Sequence, residues 1–160
     1  MPNLSRRLST IILILLLVSG CFLKPYVTIS DAKFGTFSGT EIWKSNFHET
    51  SQFSFEINRN YGWVAHIKTN KKTISFAEEL TLPTAPDSWG PAEPQSTRKI
   101  SNQGKTATIT RTVKPSGGMI FNSWKIVSGD PKGKHKIRIR IENEEPIEFN
   151  FIITNKNNQP

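Results

Sequence analysis

KHKIRIRIENEEPIEFNFIIT, residues 134–154, carries the clearest structural pattern in the sequence. Apolar residues recur at every second position on both sides of the central ENEEP segment, a period that is typical of β-strands. The pattern predicts a closing β-hairpin in which seven apolar side chains share one face: Ile137, Ile139, Ile141, Ile147, Phe149, Phe151 and Ile153.

The shared face also predicts the register of this hairpin, because apolar residues must lie opposite apolar residues. Three opposed pairs follow: Ile141 with Ile147, Ile139 with Phe149, and Arg140 with Glu148. Phe149 is therefore expected to be a packed core residue.

The other face of the first hairpin strand carries a basic row, which consists of Lys134, Lys136, Arg138 and Arg140. Side chains two residues apart on a strand point the same way and lie about 7 Å apart. The row is a candidate binding surface for an acidic protein or an anionic envelope surface. A solvated face, or charge that protects a sheet edge from pairing, is the alternative interpretation.

Upstream, short β-rich runs alternate with turn signals at 26–29, 34–44, 52–57, 61–68, 73–82, 106–113 and 119–127. About eight or nine strands without a convincing helix predict an all-β, antiparallel β-sandwich over residues 26–154. Glu78 interrupts the apolar face of its run and suggests a bulge, and the pattern near Asn122 and Ser123 suggests a change of parity.

Residues 83–98 have a different composition, with Trp89-Gly90 set among four prolines: Pro83, Pro86, Pro91 and Pro94. Proline removes backbone donors, so this segment is predicted to be a loop. Loops of this length are often functional, and Trp89 is a candidate for protein recognition. In the alternative, Trp89 folds back and caps the sandwich.

The N-terminal segment has the order of a secretory signal: Arg6 and Arg7, the apolar run 11–18, and then small residues. Eight apolar residues are too few for a membrane-spanning helix, which needs about 20. Val18-Ser19-Gly20-Cys21 resembles the lipobox of bacterial lipoproteins. The resemblance implies a signal peptide (1–20), a lipidated tether (21–25), the sandwich (26–154) and a polar tail (155–160). An ordinary signal or an uncleaved anchor is the alternative.

The resemblance also implies where the protein resides. Cys21, the single cysteine, would carry acyl chains that attach the protein stably to a membrane of the bacterial cell envelope. Because Phe22 rather than Asp follows the cysteine, it implies the outer membrane, facing the periplasm. Removal of residues 1–20 lowers the net charge from +8 to +6. An exported basic protein is expected to meet anionic lipids or acidic proteins rather than nucleic acid.

Further stretches carry a weaker resemblance. The Gly129-Asp130-Pro131-x-Gly133 turn and the two strands after it resemble the end of many bacterial immunoglobulin-like sandwich modules. Tyr61-Gly62-Trp63 and the segment from Leu82 to Gly90 resemble parts of uncharacterised bacterial lipoproteins. The resemblance implies an immunoglobulin-like fold and no particular activity. The Cys…Trp…Cys pattern of antibody domains is absent from the sequence.

The sequence contains few signals of catalysis or of metal and cofactor binding. Its histidines, His48, His66 and His135, share no metal-ligand spacing and are expected to face solvent. A GxSxG motif is absent, and adjacent glutamates on a strand point to opposite faces. The sequence therefore predicts a non-enzymatic binding or assembly module without metal or cofactor. The alternative is an envelope hydrolase whose site forms only in three dimensions.

Overall fold

A computed structural model describes residues 24–39, 46–94 and 96–155. Cys21 and the expected signal segment lie outside these ranges. The described residues form ten strands and no helix: β1 (Val27–Ser38), β2 (Asn46–Glu49), β3 (Gln52–Ser54), β4 (Asn60–Thr69), β5 (Ile74–Thr81), β6 (Ser96–Ser101), β7 (Thr106–Val113), β8 (Met119–Lys125), β9 (Gly133–Ile141) and β10 (Ile147–Thr154). The all-β class is confirmed. Two strands were not expected: β2 lies between the predicted runs 34–44 and 52–57, and β6 begins inside the segment 83–98 that was predicted to be a loop.

The strands form two sheets that pack face to face. One sheet has four strands in the order β2-β1-β4-β8, and the other has six in the order β3-β10-β9-β5-β7-β6. Neighbouring strands are antiparallel except β3 and β10, which are parallel. Only Thr50 and Ser51 separate β2 from β3, so the chain passes between the sheets at that edge.

The core lies between the two sheets and is rich in aromatic and branched side chains. Phe151 of β10 stacks on Phe34 of β1, with 4.3 Å between the ring centroids, and lies 5.4 Å from the Tyr61 ring of β4. The three isoleucines of β9 are fully buried: Ile137, Ile139 and Ile141. The alternation that predicted the hairpin faces is therefore present, with isoleucines inward and basic residues outward.

The predicted register of the hairpin is wrong by two residues. Ile147 lies opposite Ile139, so that Arg138, and not Arg140, lies opposite Glu148. A shift of two positions keeps every side chain on its predicted face, which is why the face assignment survives.

The end of β9 stays paired with β5 after its pairing with β10 has stopped at Ile139. Ile141 pairs with Phe76 of β5, and the Glu142 N–H donates to the Ser75 carbonyl over 2.9 Å. The turn towards β10 begins only there, where the Glu144 N–H donates to the Ile141 carbonyl over 3.0 Å. On β10, Phe149 is only partly buried, whereas Phe151 is 2% exposed, so the expectation of a fully packed Phe149 is wrong.

Candidate functional site

The basic row lies on the outer face of the six-stranded sheet, as predicted. Lys134, Arg138 and Arg140 are exposed and Lys136 is partly exposed. Their strand neighbours point inward, so the row follows directly from the alternation of β9.

Two acidic side chains flank the middle of the row. Arg138 lies opposite Glu79 on β5 and opposite Glu148 on β10. The Glu148 Oε2 atom is 3.5 Å from Lys136 Nζ. Exposed ion pairs of this kind contribute about 0–1 kcal/mol to stability. The charged groups of these side chains can therefore exchange their present partners for groups of a binding protein.

The two ends of the row have no acidic cross-strand neighbour. Arg140 lies opposite Ala77 on β5, and Lys134 lies opposite Ile152 on β10. Beside Arg140 there is a shallow depression of about 170 Å³ whose side chains include Ala77, Glu79, Thr108, Arg138, Arg140 and Pro146. Two guanidinium groups beside a shallow depression can bind a carboxylate or phosphate through paired hydrogen bonds.

The other candidate, Trp89, is not a free recognition residue. Its Nε1 atom donates to the Gly104 carbonyl over 2.8 Å, and its ring meets Trp124 edge to face with 5.9 Å between centroids. The Arg98 guanidinium donates to the Trp89 carbonyl over 2.6 Å and also to the Gly90 carbonyl. Trp89 is partly buried and packs against the core, as the alternative interpretation expected: the loop folds back and caps the sandwich. The ring is removed from water while its N–H retains a hydrogen-bond acceptor.

A buried carboxylate lies beneath this cap, where the sequence suggested a bulge. β5 is regular from Ile74 to Thr81, and Glu78 is fully buried on its inner face. The carboxylate accepts hydrogen bonds from Trp63 Nε1 over 2.6 Å, from Asn122 Nδ2 over 2.8 Å, and from Trp124 Nε1. Burial raises the pKa of Glu78 above its usual value, and these hydrogen bonds and the nearby Arg111 oppose the rise.

Arg111 joins the buried carboxylate to the loop. It lies on the inner face of β7 and donates to Asn122 Oδ1 over 2.9 Å. Its guanidinium also lies 3.1 Å from the Glu93 carboxylate in the proline-rich loop. A polar chain thus runs from Glu78 through Asn122 and Arg111 to the surface at Glu93, and it ties the two sheets and the loop together.

Sequence reasoning missed this cluster, although a signal was present. Ile120, Asn122 and Trp124 share the inner face of β8 without the change of parity that was predicted. An acid at an inward position of a regular strand needs donors, and buried tryptophan side chains supply them. Treating β5 and β8 as uninterrupted strands would have placed Glu78, Trp63 and Trp124 in one layer.

The histidines do not form a site. His135 is buried rather than solvent-facing, with its ring stacked on Phe151 at 5.0 Å and its Nδ1 atom 2.9 Å from the Gly133 carbonyl oxygen. Burial lowers the pKa of His135. His48 and His66 are exposed on the other sheet. In residues 24–39, 46–94 and 96–155 no three His, Cys, Asp or Glu side chains are grouped to hold a metal ion.

The described part of the chain also has no helix long and apolar enough to cross a bilayer.

Comparison with known proteins supports the immunoglobulin-like architecture. The family model of the PM0630 beta sandwich domain matches residues 32–154. The crystal structure of an immunoglobulin-like protein from Pseudomonas aeruginosa is similar, with a TM-score of 0.54 and 11% sequence identity over 80% of this chain and 96% of that one. At that identity the likeness concerns the fold alone. No curated protein matches the chain.

Proposed function

Since the chain belongs to the PM0630 beta sandwich domain family, we propose that its sandwich is a non-enzymatic binding or assembly module held in the bacterial cell envelope by a lipid anchor at Cys21. The motif Val18-Ser19-Gly20-Cys21 and the apolar run before it support the anchor. With Phe22 after the cysteine, the proposed location is the outer membrane, facing the periplasm.

The basic row of β9 is the observation that supports a binding role. It presents four cationic side chains on one outer sheet face, and the cross-strand acids lie only opposite Arg138. The row therefore keeps a positive excess, greatest at Lys134 and Arg140. We assign it to an acidic segment of a partner protein, whose carboxylates would pair with Arg138 and Arg140 beside the depression at Ala77.

Photocrosslinking in living cells tests this surface. A photoreactive residue at Asn150, which is exposed and lies opposite Lys136, is expected to yield a discrete protein adduct. The same residue at His66, which is exposed on the other sheet, serves as the control and is expected to yield none.

Changing Lys136, Arg138 and Arg140 together to Gln should lower the yield of the Asn150 adduct roughly tenfold or more, because three charged contacts are lost. The melting temperature should stay nearly constant, because these side chains lie on the outer face. An adduct that forms equally in the triple variant would contradict the assignment of the row as a binding surface.

A further inference from the structure

The N-terminal tether enters at one end of the sandwich, and side-chain hydrogen bonds hold it there. The Tyr26 N–H donates to Asn70 Oδ1 over 3.0 Å, and Thr69 Oγ1 donates to the Tyr26 carbonyl over 2.6 Å. Asn70 Nδ2 donates to the Lys24 carbonyl over 3.2 Å. These hydrogen bonds fix the tether against the turn between β4 and β5, so the surface beside that turn is the part of the domain nearest the anchor.

Four exposed lysines lie at this end: Lys24, Lys68, Lys72 and Lys114. The strand register places them there. Lys68 lies opposite Thr28 near the start of β1, and Lys72 belongs to the turn that holds the tether. Lys114 follows Val113, which pairs with Ile74 at the start of β5. Among the described residues, none of the four amines lies within ion-pair distance of a carboxylate.

Two exposed apolar side chains accompany the lysines. Tyr26 is 50% exposed and Met119, opposite His66 near the end of β4, is 38% exposed. Tyrosine is enriched at membrane–water interfaces, where its ring lies at the level of the headgroups. We call this surface the tether pole, defined by Lys24, Tyr26, Lys68, Lys72, Lys114 and Met119.

The acids at this end lie in the connection between β9 and β10 of the six-stranded sheet. Glu142 accepts from Lys71 Nζ over 2.6 Å, so this pair is neutral overall. Glu144 and Glu145 follow in the same connection. Lys24, before β1, and Lys68, on β4, lie on the side of the four-stranded sheet, whereas Lys114 follows β7 of the six-stranded sheet.

The length of the tether keeps this surface close to the anchor. Lys24 is three residues after Cys21, and three residues span at most about 11 Å. Charges attract an anionic surface over about 8 Å at physiological salt. An acylated Cys21 thus holds the tether pole within reach of lipid headgroups.

We propose that the tether pole docks on anionic phospholipid headgroups and orients the sandwich on the membrane. This inference rests on the proposed function, because it needs the acyl anchor at Cys21. β9 runs towards the pole, since Ile141 at its C-terminal end pairs with Phe76 near the start of β5. Lys134 lies seven residues before Ile141, about 23 Å from that end. The outer sheet face that carries the basic row, with Arg140 nearest the pole, can therefore meet a protein partner while the tether pole contacts lipid.

Residue-specific labelling of the acylated, full-length protein purified from cell membranes tests the orientation. The protein is placed in vesicles of phosphatidylcholine, or of phosphatidylcholine mixed with phosphatidylglycerol, and reacted with an impermeant amine reagent that is quantified by mass spectrometry. In the anionic vesicles the four lysines of the tether pole should react about fivefold more slowly than in the neutral ones. Lys134 and Lys136 provide the internal control and should change less than about twofold, and high salt should abolish the difference.

Equal reactivity of the pole lysines in both kinds of vesicle would overturn the inference, and so would stronger protection of Lys134 and Lys136. Failure of the anchor is distinguishable, because protein without acyl chains would not float with the phosphatidylcholine vesicles at all. A variant with Lys68, Lys72 and Lys114 changed to Gln should remain attached but lose the protection of Lys24.

Discussion

Replacing Phe151 by Ala is expected to lower the free energy of unfolding by about 3–5 kcal/mol. Phe151 is 2% exposed and packs where both sheets meet. Its ring centroid lies 4.3 Å from that of Phe34, 5.0 Å from His135 and 5.4 Å from Tyr61. Truncation would leave a cavity bounded by rigid aromatic rings, which cannot collapse to fill it.

Phe149→Ala is the matched control, since it removes the same atoms from the same face of the same strand. Phe149 is partly buried and, among the residues that the structure describes, has one aromatic neighbour, Phe34, at 5.9 Å. Its loss should cost about 1–2 kcal/mol, because part of the ring already contacts water. Unfolding by urea measures both variants. If Phe149→Ala proved as damaging as Phe151→Ala, the observed register of the hairpin would be in error.

Replacing Glu78 by Ala should cost about 3 kcal/mol or more, although it removes an acid from an apolar core. The carboxylate is the acceptor for Trp63 Nε1, Asn122 Nδ2 and Trp124 Nε1, and truncation leaves these buried donors without it. The neighbouring Glu79 provides the control because it lies on the outer face opposite Arg138. Glu79→Ala should change stability by less than about 0.5 kcal/mol.

The pH dependence of the Glu78→Ala effect follows from the raised pKa of Glu78. The folded protein holds this proton more tightly than the unfolded chain, so above pH about 4 the stabilising contribution of Glu78 falls as pH rises. Below that pH the group is protonated in both states and its contribution is greatest. The stability difference between wild type and Glu78→Ala, from urea unfolding at several pH values, should therefore shrink as pH rises. A stability difference that grows as pH rises would show that the hydrogen bonds and Arg111 lower the pKa of Glu78 by more than burial raises it.

The sequence predicted well wherever one strong local pattern decided the structure. Strict alternation in residues 134–154 assigned Ile137 to the core and Arg138 to the surface, because a strand offers only two faces. The register was not predicted, because registers two residues apart place the same side chains on the same face and alternation cannot distinguish them. The end of β9 is held by β5, through pairs such as Ile141 with Phe76 that join residues 65 positions apart, and no local pattern indicates such a pair.

The polar parts of the candidate site were harder to predict for a related reason. Glu78 reads as an interruption when its strand is considered alone. It becomes acceptable only when Trp63, Asn122 and Trp124 reach it from the opposite sheet. Trp89 likewise depends on Gly104, in the turn before β7, and on Trp124 of β8. The polar groups of both side chains find their hydrogen-bond partners in distant parts of the chain. Local composition therefore suggested a bulge at Glu78 and a loop free for recognition at Trp89, whereas the fold forms a buried cluster and a cap.

The tether pole and the basic row are two separate cationic surfaces with different proposed partners. Both proposals depend on the chain being held at a membrane by its N-terminal end. Lys24 is the first described residue of the tether, and the proposed attachment to the bilayer depends on Cys21.

The chemical state of Cys21 is therefore the most direct test of the account. Cells that express the full-length protein are grown with a labelled fatty acid, and the protein is isolated from the membrane fraction for mass measurement. We expect a chain that begins at Cys21 and carries the label, and a Cys21→Ser protein that carries none and leaves the membrane fraction. Label on Cys21→Ser at the wild-type level, or an unlabelled wild-type chain, would contradict it.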